Sequence, residues 1–451
     1  MCAHVRAAAH SLISRSILWA SGAVWGPWTV ALLLLSGLFL SLRYGFPQVR
    51  RFPEACRCLV ASAPPGAVGP LTPFQAFMTA LGASVGTGNI AGVATAVVSG
   101  GPGAVFWIWC YGFFATTVKL TEAILGIRFR DNASGRLSAG PMRYLSAGLG
   151  LPGLGWIYAV VAGVAALVTT PFTQPNSVAV VFESQLGVPT WVTGVVLAAL
   201  AWLVIVGGIR SIGRAAEALA PLKVGLYLAG GVFVIARNAS HIGEVLGLIL
   251  RGAFSLKGVG GGAAGVSMTL AMRYGLARGI YANEAGYGTA AVAYATARST
   301  RPLEQGLNAM MEVFLVSCVT SSISALAILL TGTWMSGLKS TALVAASFDK
   351  AFPMGGILVA FCTFLFGYTT LISWAYYGEQ FLEYAFSPAV TMSYRWVYCG
   401  LVVIGATSRV DLVWAWGDLM NGLQIFPNMV GVLGLSGLVA ASLRSKAGSV
   451  A

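Results

Sequence analysis

Gly86-Thr87-Gly88-Asn89-Ile90-Ala91-Gly92 and Asn283-Glu284-Ala285-Gly286-Tyr287-Gly288 are the two stretches on which the reading of this chain turns. Each lies inside a long apolar segment and interrupts it with glycines and an Asn-x-Ala-Gly step. In hydrocarbon every backbone N–H and C=O must find a partner, so a spanning helix comes undone only where protein, water or bound solute supplies one. A matched pair of glycine-interrupted spans points to the binding site of a transporter. Glycines by themselves would serve close helix packing. Asn89, Asn283 and Glu284 are too costly at membrane depth for packing alone.

The composition agrees with a membrane setting. Of 451 residues, 57% are hydrophobic and 9% charged, against about 25% charged in a soluble domain. Apolar runs of roughly 17 to 25 residues recur, each long enough to cross a bilayer. Eleven spans are predicted, near 19–42, 72–99, 104–127, 154–182, 190–207, 216–236, 263–296, 308–331, 355–377, 394–408 and 413–440. The first exceeds a signal-peptide core and lacks a small-residue cleavage site, so it is read as a span. The expected class is an all-α polytopic membrane protein.

The net charge of +13 does not indicate nucleic acid, because the basic residues are scattered over short loops. Arg43, Arg50, Arg51 and Arg57 share one loop, and Arg128, Arg130, Arg136 and Arg143 another. Arg210 and Arg214, Arg298 and Arg301, and Arg444 and Lys446 follow at alternate connections. The positive-inside rule turns these toward the cytoplasm, which puts the N-terminus outside and the C-terminus inside a bacterial-type inner membrane. Cys2, Cys56, Cys58, Cys110, Cys318, Cys362 and Cys399 form no disulfide or zinc spacing. His4, His10 and His241 fall outside the spans, which argues against an intramembrane histidine metal site.

With the first span set aside, ten remain in two groups of five, each opening on a broken helix. An odd number of helices per group inverts one relative to the other, the inverted-repeat plan of secondary transporters. The expected division is 1–71 for an extra helix and cytoplasmic loop, 72–236 and 263–440 for the two repeats, and 441–451 for a cytoplasmic tail. Thr72 is expected to cap the incoming helix ahead of Pro73.

Phe74-Gln75-Ala76, Gly86 through Thr95, Gly100-Gly101-Pro102-Gly103-Ala104-Val105-Phe106-Trp107, Lys119-Leu120-Thr121-Glu122-Ala123, Arg278 through Gly286, Trp374-Ala375-Tyr376-Tyr377-Gly378-Glu379, Asn421-Gly422-Leu423 and Pro427-Asn428 together resemble the sodium:alanine symporter family, from about Trp25 to about Gly437. The resemblance implies a leucine-transporter-like fold with an added N-terminal helix. It also implies sodium-coupled symport of small neutral amino acids, with alanine, glycine and D-alanine as candidates and no organic cofactor. It assigns sodium to Thr369, Thr370 and the carbonyls near Gly82 and Val85. The chain departs from the family's usual pattern at Pro175, Ala282, Tyr287 and Arg143, which bears on substrate choice.

The residues carry a physical reading of their own. A zwitterion offers a carboxylate and an ammonium, and a broken helix offers complementary ends to both. The half-helix starting near Asn89, with Thr87 and Gly88 before it, points N–H groups at the carboxylate. The half-helix ending near Tyr281, Ala282 and Asn283 offers carbonyls to the ammonium. Sodium wants hard oxygen ligands; Ser84 and Asn89 are candidates for a second ion.

Some residues have two readings. Lys119 and Glu122, three apart near a helix end, fit a snorkelling surface pair or a functional one. Glu284 fits a gating or structural network, direct substrate or ion contact, or proton handling. Gln174-Pro175-Asn176 fits a proline kink or, by preference, a pocket wall. Trp374, Tyr376 and Tyr377 are read foremost as an aromatic belt. Proton coupling through Glu284 is the alternative mechanism. An intramembrane enzyme is disfavoured because the aspartates, Asp131, Asp349, Asp411 and Asp418, are not clearly inside spans and no His-Glu-x-x-His occurs. A passive channel is disfavoured by breaks that imply an occludable site.

Overall fold

The computed structural model describes residues 16–17, 19–132, 136–255 and 268–444, with side chains left aside at 410–412 and 414. The start of the predicted span at 263–267, the tail beyond Arg444, and Cys2, His4 and His10 lie outside the described residues.

Helix α1 (Pro27–Tyr44) precedes a first broken helix, α2 (Pro73–Ser84) and α3 (Ala91–Gly100). Then come α4 (Ala104–Arg128), α5 (Pro152–Val168), α6 (Thr170–Leu186), α7 (Thr190–Ile205) and α8 (Gly208–Arg237). A short amphipathic α9 (Ile242–Phe254) leads toward a second broken helix, α10 (Met268–Asn283) and α11 (Thr289–Ala295). The chain continues through α12 (Pro302–Val313), α13 (Ser321–Leu330), α14 (Ser340–Ala351), α15 (Gly355–Ala385), α16 (Val390–Thr407), α17 (Val410–Gly434) and α18 (Ser436–Arg444). Among the described residues six helices are long and apolar enough to cross a membrane, or eight if each bent pair is one span.

Local chemistry sets the helix ends. Thr72 caps α2 through a reciprocal box: its hydroxyl accepts from Gln75 N at 3.1 Å, and Gln75 Oε1 accepts from Thr72 N at 3.1 Å. Pro73 follows at the position where a missing N–H costs nothing. The predicted 154–182 span is two helices meeting at Thr169. The predicted end of the 355–377 span falls short, because α15 runs on to Ala385. Glu379 is tolerated in that extension because Arg395 donates to both its oxygens, at 2.6 and 2.9 Å.

One face of the bundle carries the arginine-rich loops. There Arg130 donates to the carbonyls of Val68, Ala295, Ala297 and Ser299 at 2.8 to 2.9 Å, binding the approach to α2 to the end of α11. A vestibule of about 780 Å³ opens nearby, lined by Arg136, Arg210, Glu379, Glu383 and Arg395 among others.

Candidate functional site

Between α2 and α3 the chain turns by 54°, through a short 3-10 turn at Thr87–Asn89. The freed backbone is met mostly by neutral side chains. Thr87 N donates to Gln174 Oε1 at 3.0 Å. Asn89 Nδ2 donates back to Ser84 O at 2.9 Å, while Asn89 Oδ1 accepts from Thr320 and Ser321 at 3.1 and 3.0 Å. Gly86 must be glycine: a Cβ there would lie 2.6 Å from Thr370 Oγ1.

The second break is coiled differently. Glu284, Gly286 and Gly288 all take positive φ, 58°, 97° and 85°, which a non-glycine residue does only under constraint. The constraint on Glu284 comes from two hydrogen bonds, Trp374 Nε1 to Oε1 at 2.6 Å and Thr289 Oγ1 to Oε2 at 2.8 Å. Beyond it, Glu122 Oε1 accepts from Gly286 N at 2.9 Å, Gly288 N at 3.1 Å and Asn428 Nδ2 at 2.7 Å. Lys119 Nζ donates to Asn283 O and to Glu312 Oε1, both at 2.6 Å.

Lys119 and Glu122 are therefore not a snorkelling pair. They are 1% and 0% exposed, because α4 continues nine residues past Lys119 to Arg128, about 13 Å of further helix. Trp374, Tyr376 and Tyr377 are likewise buried and form no belt, since Trp374 lies in mid-helix against Glu284.

A small cavity lies between the breaks, with free volume of about 10 Å³, the room of about one water centre. Its walls include Ser84, Gly86, Gly88, Thr169, Thr170, Gln174, Tyr281, Glu284, Tyr287, Thr370, Trp374 and Asn421. Two of its wall residues carry buried hydroxyls with no hydrogen-bond partner among the described residues, Thr169 Oγ1 and Tyr287 OH. Toward the face away from the arginine loops it is closed by Tyr281, whose hydroxyl donates to Thr173 at 2.5 Å, and one turn further by the Arg278–Asp418 ion pair. In the other direction, α15 carries Trp374 at the cavity and Glu379 at the vestibule, five residues or about 7.5 Å apart.

Of the residues expected to bind substrate, Gly88, Gln174 and Tyr281 line the cavity and Thr87, Asn89, Asn176, Ala282 and Asn283 do not. For Asn176 and Asn283 the reason is angular. Neighbours two apart on a helix point about 200° apart, so Gln174 and Asn176 cannot share a wall, nor Tyr281 and Asn283. Asn176 Nδ2 instead donates to Gly405 O and Ser408 O, at 3.3 and 2.7 Å, and Asn283 Nδ2 to Ser317 Oγ at 3.0 Å. Thr87 Oγ1 is buried without a partner.

The expected sodium ligands are brought together, but around a side chain that the sequence reading passed over. Lys223 Nζ donates to Gly82 O, Val85 O and Thr369 Oγ1, while Thr370 Oγ1 donates to Gly82 O and Ala83 O. The expected second set does not close either, because Ser84 Oγ donates to Ala80 O at 3.1 Å and only its carbonyl meets Asn89. Lys223 and Glu312 were readable as ionisable residues inside predicted spans, a signal of function by default. The π-helical turn Phe314–Thr320 between α12 and α13 had no such signal, although Ser317 reaches the second break and Thr320 the first.

Residues 10–447 match the sodium:alanine symporter family. The sodium/alanine symporter AgcS of Methanococcus maripaludis is 38% identical, with 94% of each chain covered. The probable sodium/glutamine symporter GlnT of Bacillus subtilis is 32% identical over 94% of this chain and 89% of its own. The putative sodium/proton-dependent alanine carrier protein YrbD of Bacillus subtilis is 31% identical over 91% and 87%. Among solved structures, MhsT in complex with L-phenylalanine superposes with a TM-score of 0.54 at 13% identity, covering 82% of this chain and 95% of that one. A Na+-coupled sialic acid symporter gives 0.55 at 12% identity over 93% and 86%. At such identities the likeness is one of fold, the leucine-transporter type.

Proposed function

The chain belongs to the sodium:alanine symporter family, and on that premise we propose that it imports a small neutral amino acid, alanine or glycine with D-alanine in the same class, together with a cation. Transport runs by alternating access around the two helix breaks, which open the inverted repeats 72–236 and 263–440. The arginine-rich face is cytoplasmic by the positive-inside rule, so the N-terminus is outside and the C-terminus inside the cell membrane.

One observation carries the substrate reading: Thr169 Oγ1 and Tyr287 OH, buried on the cavity wall, have no hydrogen-bond partner among the described residues. An unsatisfied buried polar group costs about 1 to 3 kcal/mol, which a polar solute between the breaks would offset. Tyr281, Tyr287 and Trp374 fill the space that a large side chain would need. Glu284, already bonded to Trp374 and Thr289, serves the gate rather than the solute.

Family membership supports sodium as the coupling ion. Of the oxygen groups at the breaks, the set supporting a sodium is Asn89 Oδ1 with the hydroxyls of Thr320 and Ser321, all neutral hard donors. Proton coupling is the second reading, favoured by the ionisable Lys223 standing where an ion was expected.

Labelled-alanine uptake into proteoliposomes tests this. With pH clamped, uptake should require external sodium and rise with an inside-negative potential, each net charge contributing about 2.3 kcal/mol per 100 mV. Equal uptake in sodium and choline would remove sodium and favour the proton. Absence of alanine or glycine counterflow in any buffer would remove the substrate class.

A further inference from the structure

The sodium site that the resemblance implies is built, and it is filled by the protein itself. Lys223, on α8, is 0% exposed. Its Nζ lies 3.0 Å from Gly82 O, 2.6 Å from Val85 O and 2.5 Å from Thr369 Oγ1, one acceptor for each of the three N–H bonds of an ammonium. The Phe366 ring lies 5.3 Å from the same nitrogen, a cation–π distance. Thr369 is free to accept because its own proton goes to Leu365 O, at 2.9 Å. Thr370, the other expected ligand, uses its hydroxyl as a donor to Gly82 O at 3.2 Å and Ala83 O at 2.8 Å. Helix α2, on the opposite wall, carries no titratable side chain.

A sodium ion bound to these oxygens would have to sit in contact with Nζ, cation against cation, in a site closed to water. The residues present therefore do not fit the ion. We propose that Lys223 is the resident cation of this site: its tethered ammonium ties the end of α2 to α15 in place of a metal ion, and the protein binds no sodium there. This deepens the transporter reading and rests on it for the meaning of the tie, though not for its test. A sodium that drives transport must bind elsewhere.

The test compares the half-saturating sodium concentration of wild type and Thr369→Val, read as the rise of the thermal unfolding midpoint in detergent when choline chloride is exchanged for sodium chloride. With Lys223 in place, Thr369→Val should leave that concentration within about twofold, because its hydroxyl meets the ammonium and not the ion. A wild type with no sodium response supports the proposal equally. A shift of about fivefold or more, or loss of a wild-type response, overturns it. Thr370→Val replaces Thr369→Val if the latter does not fold. In Lys223→Ala, which vacates the carbonyls, a new sodium response should arise and Thr369→Val should remove it. The unfolding readout needs no substrate, so a failed alanine counterflow would strike the transport reading and leave this result standing.

Discussion

At the first break, between Ser84 and Ala91, the loosened backbone is held mainly by amides and hydroxyls: Gln174 on Thr87 N, Asn89 on Ser84 O, Thr370 on Ala83 O. A single charge, the Lys223 ammonium, joins them. At the second, between Asn283 and Thr289, ionisable side chains from other helices take a larger part, Glu122 on two backbone N–H groups and Lys119 on Asn283 O with Glu312 behind the lysine, beside neutral ties from Tyr111 to Ala285 O, Tyr158 to Tyr287 O and Asn428 to Gly286 O. Neutral hydrogen bonds exchange at little net cost, whereas a buried charge left alone is expensive. In the transport cycle proposed above, the first break is the one whose ties are traded for a solute, and the second is the frame against which it works.

Removing the brace gives the largest expected effect. Glu122→Ala leaves Gly286 N and Gly288 N without their acceptor, at about 1 to 3 kcal/mol each, and Asn428 Nδ2 with the Gly286 carbonyl alone, a large share of the roughly 5 to 15 kcal/mol that holds a typical protein folded. The unfolding midpoint should collapse, and Glu122→Gln, which keeps an acceptor oxygen, should recover part of it. A stable Glu122→Ala protein would show that the second break is not braced by charge.

An intermediate effect should come from the first break. Gln174→Ala uncaps Thr87 N and opens the cavity wall, so alanine binding should weaken about 5- to 150-fold, the equivalent of about 1 to 3 kcal/mol, while the protein stays folded. If calorimetry or scintillation proximity found unchanged affinity, the neutral break would not be the solute's site.

The smallest effect is expected two residues on. Asn176→Ala should leave alanine affinity within about twofold and cost about 0.5 to 1.5 kcal/mol in stability, because its amide serves Gly405 and Ser408 carbonyls on the far side of α6. A strong loss of affinity in a stable Asn176→Ala protein would mean that α6 rotates during transport.

That the chain spans a membrane, where its two helices break, and which residue types crowd those breaks can all be read from the residues in order. Those facts are local: glycine spacing, apolar run length and capping at Thr72-Pro73 depend on near neighbours. The sequence could also have excluded Asn176 and Asn283 as cavity walls beside Gln174 and Tyr281, since helical angle alone separates them. Which ionisable groups meet follows only from how the helices pack. Lys119 finds Glu312 across 193 positions, and Lys223 finds Gly82 across 141. Whether an oxygen set holds an ion or a lysine depends on which face of α8 packs against α2, and hydrophobic periodicity hardly registers that in a helix whose surroundings, lipid and protein, are apolar on every side.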